Sequence, residues 1–472
     1  MSFRFTKGRI IALSIGVVLL IGAIATVFYA KSHKETFVAQ TFSVFEKVSQ
    51  LLPIAPDTKK ELEAIDTLVS GMTKADGVTR SYLILLQNNY ELRPGGGFLG
   101  QYAILKIKDG KLVSSFVEDA NLLDQRITVK VTPPYPLTKY MQLRNWKFRD
   151  SNFSPDFPTN VGKAQYFARL GGQSGSYDGV FAVNADVLDH VLALTGPITI
   201  PGYGTYDGNG SAMKLEEQVE KAYLGDDVAA EAKQARKNVM KTLAAQILSR
   251  IATMENIPKV SSLVLEELRD KNVQLWFKDA TLEAAVASVH WDGSITKDWT
   301  KDYLMVVDAN MGALKTDYYV KRSLDYVIDF TDDIPKATVT YTYDHTATHG
   351  DWRTSDYHTY TRIYAPMGSK YIDQSRLHTG GVTSQDSVEF KKTVFGYKVD
   401  CLIGQTLPTA ISYTLPSNIT PDDYELLIQK QSGVGTIPVK ITMKTRNGDF
   451  TQTADLTKDL RIAFTTAEQE KK

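Results

Sequence analysis

The stretch from Ser81 to Gly100, SYLILLQNNYELRPGGGFLG, constrains the fold tightly, because an apolar run passes directly into a polar loop with three consecutive glycines. Ser81 to Gln87 reads as a buried strand. Gly95, Gly96 and Gly97 permit a tight backbone path and close approach to peptide N–H groups. Arg93 sets a planar, permanently charged guanidinium beside them. Two readings follow: an anion site for phosphate or carboxylate, or a strand–turn–strand connection. The chain has no G-x-x-x-x-G-K-[ST] loop, and its glycines lead into a strand rather than a helix, which argues against an ordinary nucleotide site.

Upstream, Arg4, Lys7 and Arg9 precede a run from Ile10 to Ala30 without a charge, matching the ~20 residues a helix needs to cross the hydrocarbon core. The expectation is one transmembrane helix over 10–30, a basic cytoplasmic tail over 1–9, and an extracytoplasmic remainder on a single-pass protein of the cell membrane. Ala23-Ile24-Ala25 also resembles a signal cleavage site, but the apolar run exceeds the usual core of about 7–15 residues. Lys plus Arg and Asp plus Glu each number 54, so no overall field attracts nucleic acid. Cys401 is the only cysteine, which excludes an internal disulfide and suits a bacterial envelope protein.

Residues 31–75 read as a helical stalk or packing collar. Residues 76–328 alternate strands and helices, predicting an α/β domain with a mixed sheet and flanking helices. Its strand candidates include SYLILLQ, YDGVFAVN and DYLMVVDAN, and Asp226 to Ile251 reads as its long amphipathic helix. From 329 to 455, short alternating stretches such as Ala337 to Tyr343 predict an antiparallel β-sandwich. Residues 456–472 read as a polar tail.

Several segments together resemble the bacterial domain-of-unknown-function family 4012: Leu85 to Leu105, Phe148 to Pro158, Tyr177 to Gly204, Asp302 to Arg322 and Tyr360 to Ser369. The resemblance implies a membrane-anchored exported protein of unassigned chemistry. The order of elements is also similar to the LytR-CpsA-Psr glycopolymer transferases, which implies a fold of that type and a site for polyprenyl pyrophosphate. By that likeness Arg236 matches the arginine presented by a helix and Arg93 an earlier one. This chain departs from that pattern in having Pro94-Gly95-Gly96-Gly97 where an aspartate for magnesium is expected, and Lys237 after Arg236.

Phe148 to Pro158 concentrates Arg149, Asp150 and Asp156 in an aromatic loop. Asp150 or Asp156 would act as base or hold a divalent cation such as Mg; the structural alternative is a turn at Asp150 and a helix cap at Asp156. Convergence of Arg93, Arg149 and Arg236 would neutralise a diphosphate. Asp308, Asn310 and Lys315 either line a cleft at a strand end or belong to a strand end capped by its own Asn and Asp side chains, and Asp344, His345, His349, Asp351, Asp356 and His358 form a loose cluster without HExxH spacing. The functional expectation is a membrane-anchored protein that binds a pyrophosphate-linked lipid or envelope glycan and assists polymer attachment, as a phosphoglycosyl transferase if catalytic. The rival expectation is a non-catalytic surface scaffold or adhesion module.

Overall fold

A computed structural model describes residues 56–221, 257–373 and 384–464, with single helical positions between 239 and 250. The expected membrane run 10–30 and Arg236 lie outside the described residues. The first helix, α1 (Pro56–Met72), leads into β1 (Thr79–Asn88), β2 (Phe98–Lys108) and β3 (Lys111–Asp119). With β4 (Gly179–Asn184) and β7 (Val273–Phe277) these form a five-stranded sheet of order β3-β2-β1-β4-β7, while β5 (Ile198–Ile200) and β6 (Gly204–Tyr206) pair by themselves. β1 and β4 run parallel, from Tyr82 opposite Gly179 to Gln87 opposite Asn184, and the other pairs are antiparallel.

The uninterrupted apolar character of β1 follows from burial on both faces. Tyr82 and Ile84 enter one core with Leu188, Val191 and Leu268, while Leu83 and Leu85 enter a second with Leu123, Val161 and Phe167. Val239, Leu243 and Ile247, one stripe of the expected long helix, are buried in the first core. Ala64 and Leu68 of α1 join it as well, and Glu61 pairs with Arg269. The segment from Pro56 is therefore part of the α/β body rather than a separate stalk.

The remaining strands build two six-stranded sheets. One has the order β12-β15-β10-β9-β17-β18, with β9 (Val320–Asp329), β10 (Lys336–His345), β12 (Lys370–Asp373), β15 (Thr406–Thr414), β17 (Ile437–Thr445) and β18 (Gly448–Leu456). The other has the order β13-β14-β11-β8-β16-β19, with β8 (Asp302–Asn310), β11 (Tyr357–Pro366), β13 (Ser384–Glu389), β14 (Lys392–Cys401), β16 (Tyr424–Ile428) and β19 (Leu460–Phe464). Their inner faces share one core in which Tyr326, Val339 and Ile441 of the first sheet meet Ile363, Phe395 and Leu426 of the second.

Three sequence expectations are corrected here. Asp302–Asn310 is a sandwich strand, not an α/β strand; every residue in it is buried because Leu304 and Val306 face the shared core while Tyr303, Met305 and Val307 pack on the outer side. The sandwich is not purely antiparallel, since β16 runs parallel to β8 and β17 parallel to β9. Nor does it end at 455, because Ile462 and Phe464 bury themselves as part of β19, which pairs with β16.

Candidate functional site

The glycine loop sits where the α/β body meets the sandwich, and residues 89–97 are all buried. The Glu91 amide donates to the Asn88 carbonyl and the Phe98 amide to the Glu91 carbonyl, turning the chain from β1 into β2. The Gly95 amide donates to the Asn152 carbonyl at 3.0 Å, and Asn152 Nδ2 donates to the Gly97 carbonyl at 2.6 Å. Gly96 has φ +132°, and a Cβ there would lie 2.6 Å from Gln87 Nε2 and 2.9 Å from Ser432 Oγ. Gly433, in the loop after β16, has φ +80°, and its Cβ would lie 2.1 Å from the Gly96 carbonyl oxygen. Two glycine turns from distant parts of the chain are thus pressed backbone to backbone. The close approach that the glycines permit is to protein.

Arg93 is 1 % exposed. Its Nη2 donates to Glu91 Oε1 at 2.8 Å, its Nε to Asp150 Oδ1 at 3.3 Å, and its Nη1 to the carbonyls of Asn310 at 3.1 Å and Leu92 at 3.3 Å. The Phe98 ring lies 5.4 Å beneath the guanidinium carbon. Burial opposes the charge on Arg93, but Glu91 and Asp150 outweigh it and hold the guanidinium protonated. Burial also pushes the Glu91 carboxyl above its ordinary range, against the pull of Arg93. This guanidinium is used up inside the protein.

The other expected site residues are held separately. Arg149 donates to Asp124 Oδ2 at 2.7 Å, and Asp124 Oδ1 accepts the Phe148 amide. Asp156 Oδ2 accepts the Thr159 amide and hydroxyl, capping the helix Phe157–Leu170, while Oδ1 accepts the Ile295 amide. That is the helix-cap alternative. Among the described site candidates, Arg93 and Asp150 pair with each other. Among the described residues no group of three or more His, Cys, Asp or Glu side chains is arranged to hold a metal ion.

The model of a family described as a protein of unknown function, DUF4012, matches residues 77–220. Over residues 77–220 the chain is similar to DUF4012. No curated protein matches the chain. The DUF4012 region thus contains the glycine loop, Arg93, Arg149, Asp150 and Asp156, whereas Asp302 to Arg322 and Tyr360 to Ser369 lie beyond the matched residues.

The sandwich answers the DUF4012 loop with a buried polar network. Gln431 Nε2 donates to the carbonyls of Arg93 and Asp308, and Ser432 Oγ donates to the Lys271 carbonyl. Asp308 accepts Arg322 Nε at 2.9 Å, the Tyr343 hydroxyl and the Thr361 hydroxyl. Asn310 Nδ2 donates to Asp317. Asp308 and Asn310 therefore bind internal partners rather than line a cleft. The histidine cluster separates too: His345 bonds the Ser355 carbonyl, His358 pairs with Asp400, and Asp351 with Arg353.

One arrangement on the DUF4012 region escaped the sequence reading. The helix Asp186–Thr195 carries Asp186, Asp189 and His190, and His190 Nδ1 lies 2.5 Å from Glu267 Oε1. Glu267 is buried, and its Oε2 accepts Asn272 Nδ2 at 2.9 Å. The hydrogen bond that the His190 ring donates to Glu267 raises the His190 pKa above its ordinary value. Asn89 Nδ2 donates to Asp186 Oδ2 at 2.6 Å and the Tyr90 hydroxyl to Asp189 Oδ2 at 3.3 Å. Lys430, buried at the sandwich side, has its amine pulled down to about 8 by burial and donates to the Asp270 carbonyl. A carboxylate-oriented imidazole of this kind holds its proton more firmly than a free one. No hydroxyl or thiol of a described residue donates to it, so a nucleophile–base pair is not formed there. The i, i+3, i+4 spacing of Asp186, Asp189 and His190 is visible in the sequence, but Glu267 lies 77 positions downstream of His190.

Proposed function

We propose that this protein is a membrane-tethered, extracytoplasmic scaffold: a non-catalytic module whose α/β body and β-sandwich hold a recognition surface in fixed relation to the membrane. The observation that carries this reading is the state of Arg93, whose fork is bonded to Glu91, Asp150 and two carbonyls in a loop sealed against Ser432 and Gly433. An arginine that recognises a diphosphate keeps its fork open to bidentate oxygens. Here opening it would leave two carboxylates buried without a cation. The buried contacts between the two units also suit a scaffold, because they resist relative motion of the parts.

The test is lipid analysis of the full chain purified in detergent from bacterial membranes. A scaffold retains polyprenyl phosphates and diphosphates only in their proportion to bulk phospholipid in those membranes. Enrichment of a polyprenyl diphosphate in the purified protein would overturn the scaffold reading in favour of a lipid-linked substrate.

A further inference from the structure

The end of the α/β sheet where β2 turns into β3 combines two features that the fold itself does not use. Lys106, Lys108 and Lys111 are exposed, and Lys108 stands directly opposite Lys111 across the hairpin. Like charges placed opposite each other cost stability, and none of the three lysines forms an ion pair with a described residue. Around them Val78, Leu112 and Val113 are 51 %, 43 % and 54 % exposed.

The local carboxylates are occupied. Asp109 Oδ1 accepts the Gly77 amide, and Asp76 takes both terminal nitrogens of Arg80. Within residues 74–80 and 106–113 the cations are Lys74, Arg80, Lys106, Lys108 and Lys111 and the anions Asp76 and Asp109, leaving a net charge of +3. β3 is an edge strand, and Lys111 on it also guards against strand pairing, whereas Lys106 and Lys108 belong to β2 inside the sheet. Guarding alone does not call for three apolar side chains exposed beside them.

We infer that this hairpin tip is a docking surface for an anionic lipid bilayer, with the lysines at the headgroups and Val78, Leu112 and Val113 at the acyl boundary. The inference rests on the membrane tether proposed above. Residues 31–55, fully extended, reach up to about 85 Å, and α1 is only about 25 Å long. A tether at residues 10–30 therefore allows the tip to face the membrane. Each lysine near an anionic surface strengthens contact about fivefold.

The test places a fluorescent label at residue 113 by Val113→Cys in the full chain, reconstituted into vesicles containing brominated lipid. Cys401 is buried and burial pushes its thiol up to about 11, so the label goes to the introduced cysteine. A second label at the exposed turn residue Asn447, by Asn447→Cys, serves as reference. The expected result is quenching at 113 but not at 447 in vesicles with anionic lipid, absent with neutral lipid and removed by about 0.5 M salt. Lys106→Glu, Lys108→Glu and Lys111→Glu together keep the hairpin tip charged yet abolish the quenching, weakening contact by at least about a hundredfold. A label at 113 that stays unquenched, equal quenching at both positions, or quenching in neutral vesicles would overturn the inference. Alkaline extraction of the same vesicles reports the tether independently: release of the chain overturns the membrane-tethered reading whatever the label shows.

Discussion

Asp317 Oδ2 accepts the Leu92 amide at 3.0 Å across 225 positions of sequence, while Asp317 Oδ1 accepts Arg322 Nη2 at 2.6 Å and the Tyr357 hydroxyl at 2.8 Å. One carboxylate thus ties the loop of the DUF4012 region to the buried arginine of the sandwich. Asn310 extends the tie, giving its carbonyl to Arg93 and its side-chain amide to Asp317. Two buried guanidinium groups, Arg93 and Arg322, are linked through a single pair of residues. Breaking a buried charge pair by deleting one member strands the other.

Arg93→Ala is therefore expected to destabilise the whole chain by roughly 3–5 kcal/mol, since it leaves Glu91 and Asp150 buried without their cation. Urea unfolding measures this. Because the same network holds both units, tryptophan fluorescence and far-ultraviolet circular dichroism are expected to report one shared transition in the parent, with a lower midpoint in the variant. An unchanged midpoint would mean that Arg93 is not the keystone of the joint.

The glycine turns give a comparison within one protein. Gly96→Ala and Gly433→Ala combine a positive φ with contacts of 2.6 Å and 2.1 Å, whereas Gly77→Ala has φ +73° with nothing within 4 Å. The first two are expected to cost about 2–4 kcal/mol through strain and overpacking, the third only about 1 kcal/mol. Thermal melts of the three variants check the order. Equal losses would place the cost in backbone conformation alone, not in the packed joint.

The extent to which this arrangement is legible in the sequence depends on which residues partner locally. SYLILLQ and YDGVFAVN read as buried strands and are β1 and β4, because continuous apolar runs report burial on both faces. The same pattern misplaces DYLMVVDAN, since β8 is also covered on both faces but lies in the sandwich. The helix cap at Asp156 is legible because the aspartate stands directly before Phe157-Pro158. The partners of Arg93 are not: Glu91 is two residues away, but Asp150 and Asn310 arrive from 57 and 217 positions downstream. A glycine loop beside an arginine looks the same in sequence whether an anion or a neighbouring chain segment fills the space.

His190 offers a titration that reads the Glu267 contact directly. The hydrogen bond that the imidazole donates to Glu267 raises its pKa, so the stabilising contribution is complete below the ordinary value of 6.5 and is lost as pH rises through the folded-state value. Glu267→Gln is expected to bring the His190 titration, followed by nuclear magnetic resonance, back down toward 6.5. A titration that does not move would remove Glu267 as the cause.

Asp302 makes the sharpest pH prediction because no cation of a described residue faces it. Its carboxylate is fully buried and accepts the Tyr424 hydroxyl at 2.6 Å, the Tyr326 hydroxyl at 2.9 Å and the Tyr303 amide at 2.8 Å. Burial outweighs these three donors and pushes its pKa up from 3.8 to about 6. The folded state therefore holds this proton more tightly than the unfolded chain. The resulting stabilisation is fully present below pH 3.8 and is lost as pH rises through about 6, a swing of roughly 3 kcal/mol for this one group. Asp302→Asn keeps an acceptor for the tyrosines without the charge, so its stability is expected to match or exceed the parent at pH 7 and to change less between pH 4 and 7. Urea midpoints of the two proteins across that range decide the matter. If the difference between variant and parent stays constant with pH, the carboxylate is ionised throughout, and the tyrosine hydroxyls bind it strongly enough to offset its burial.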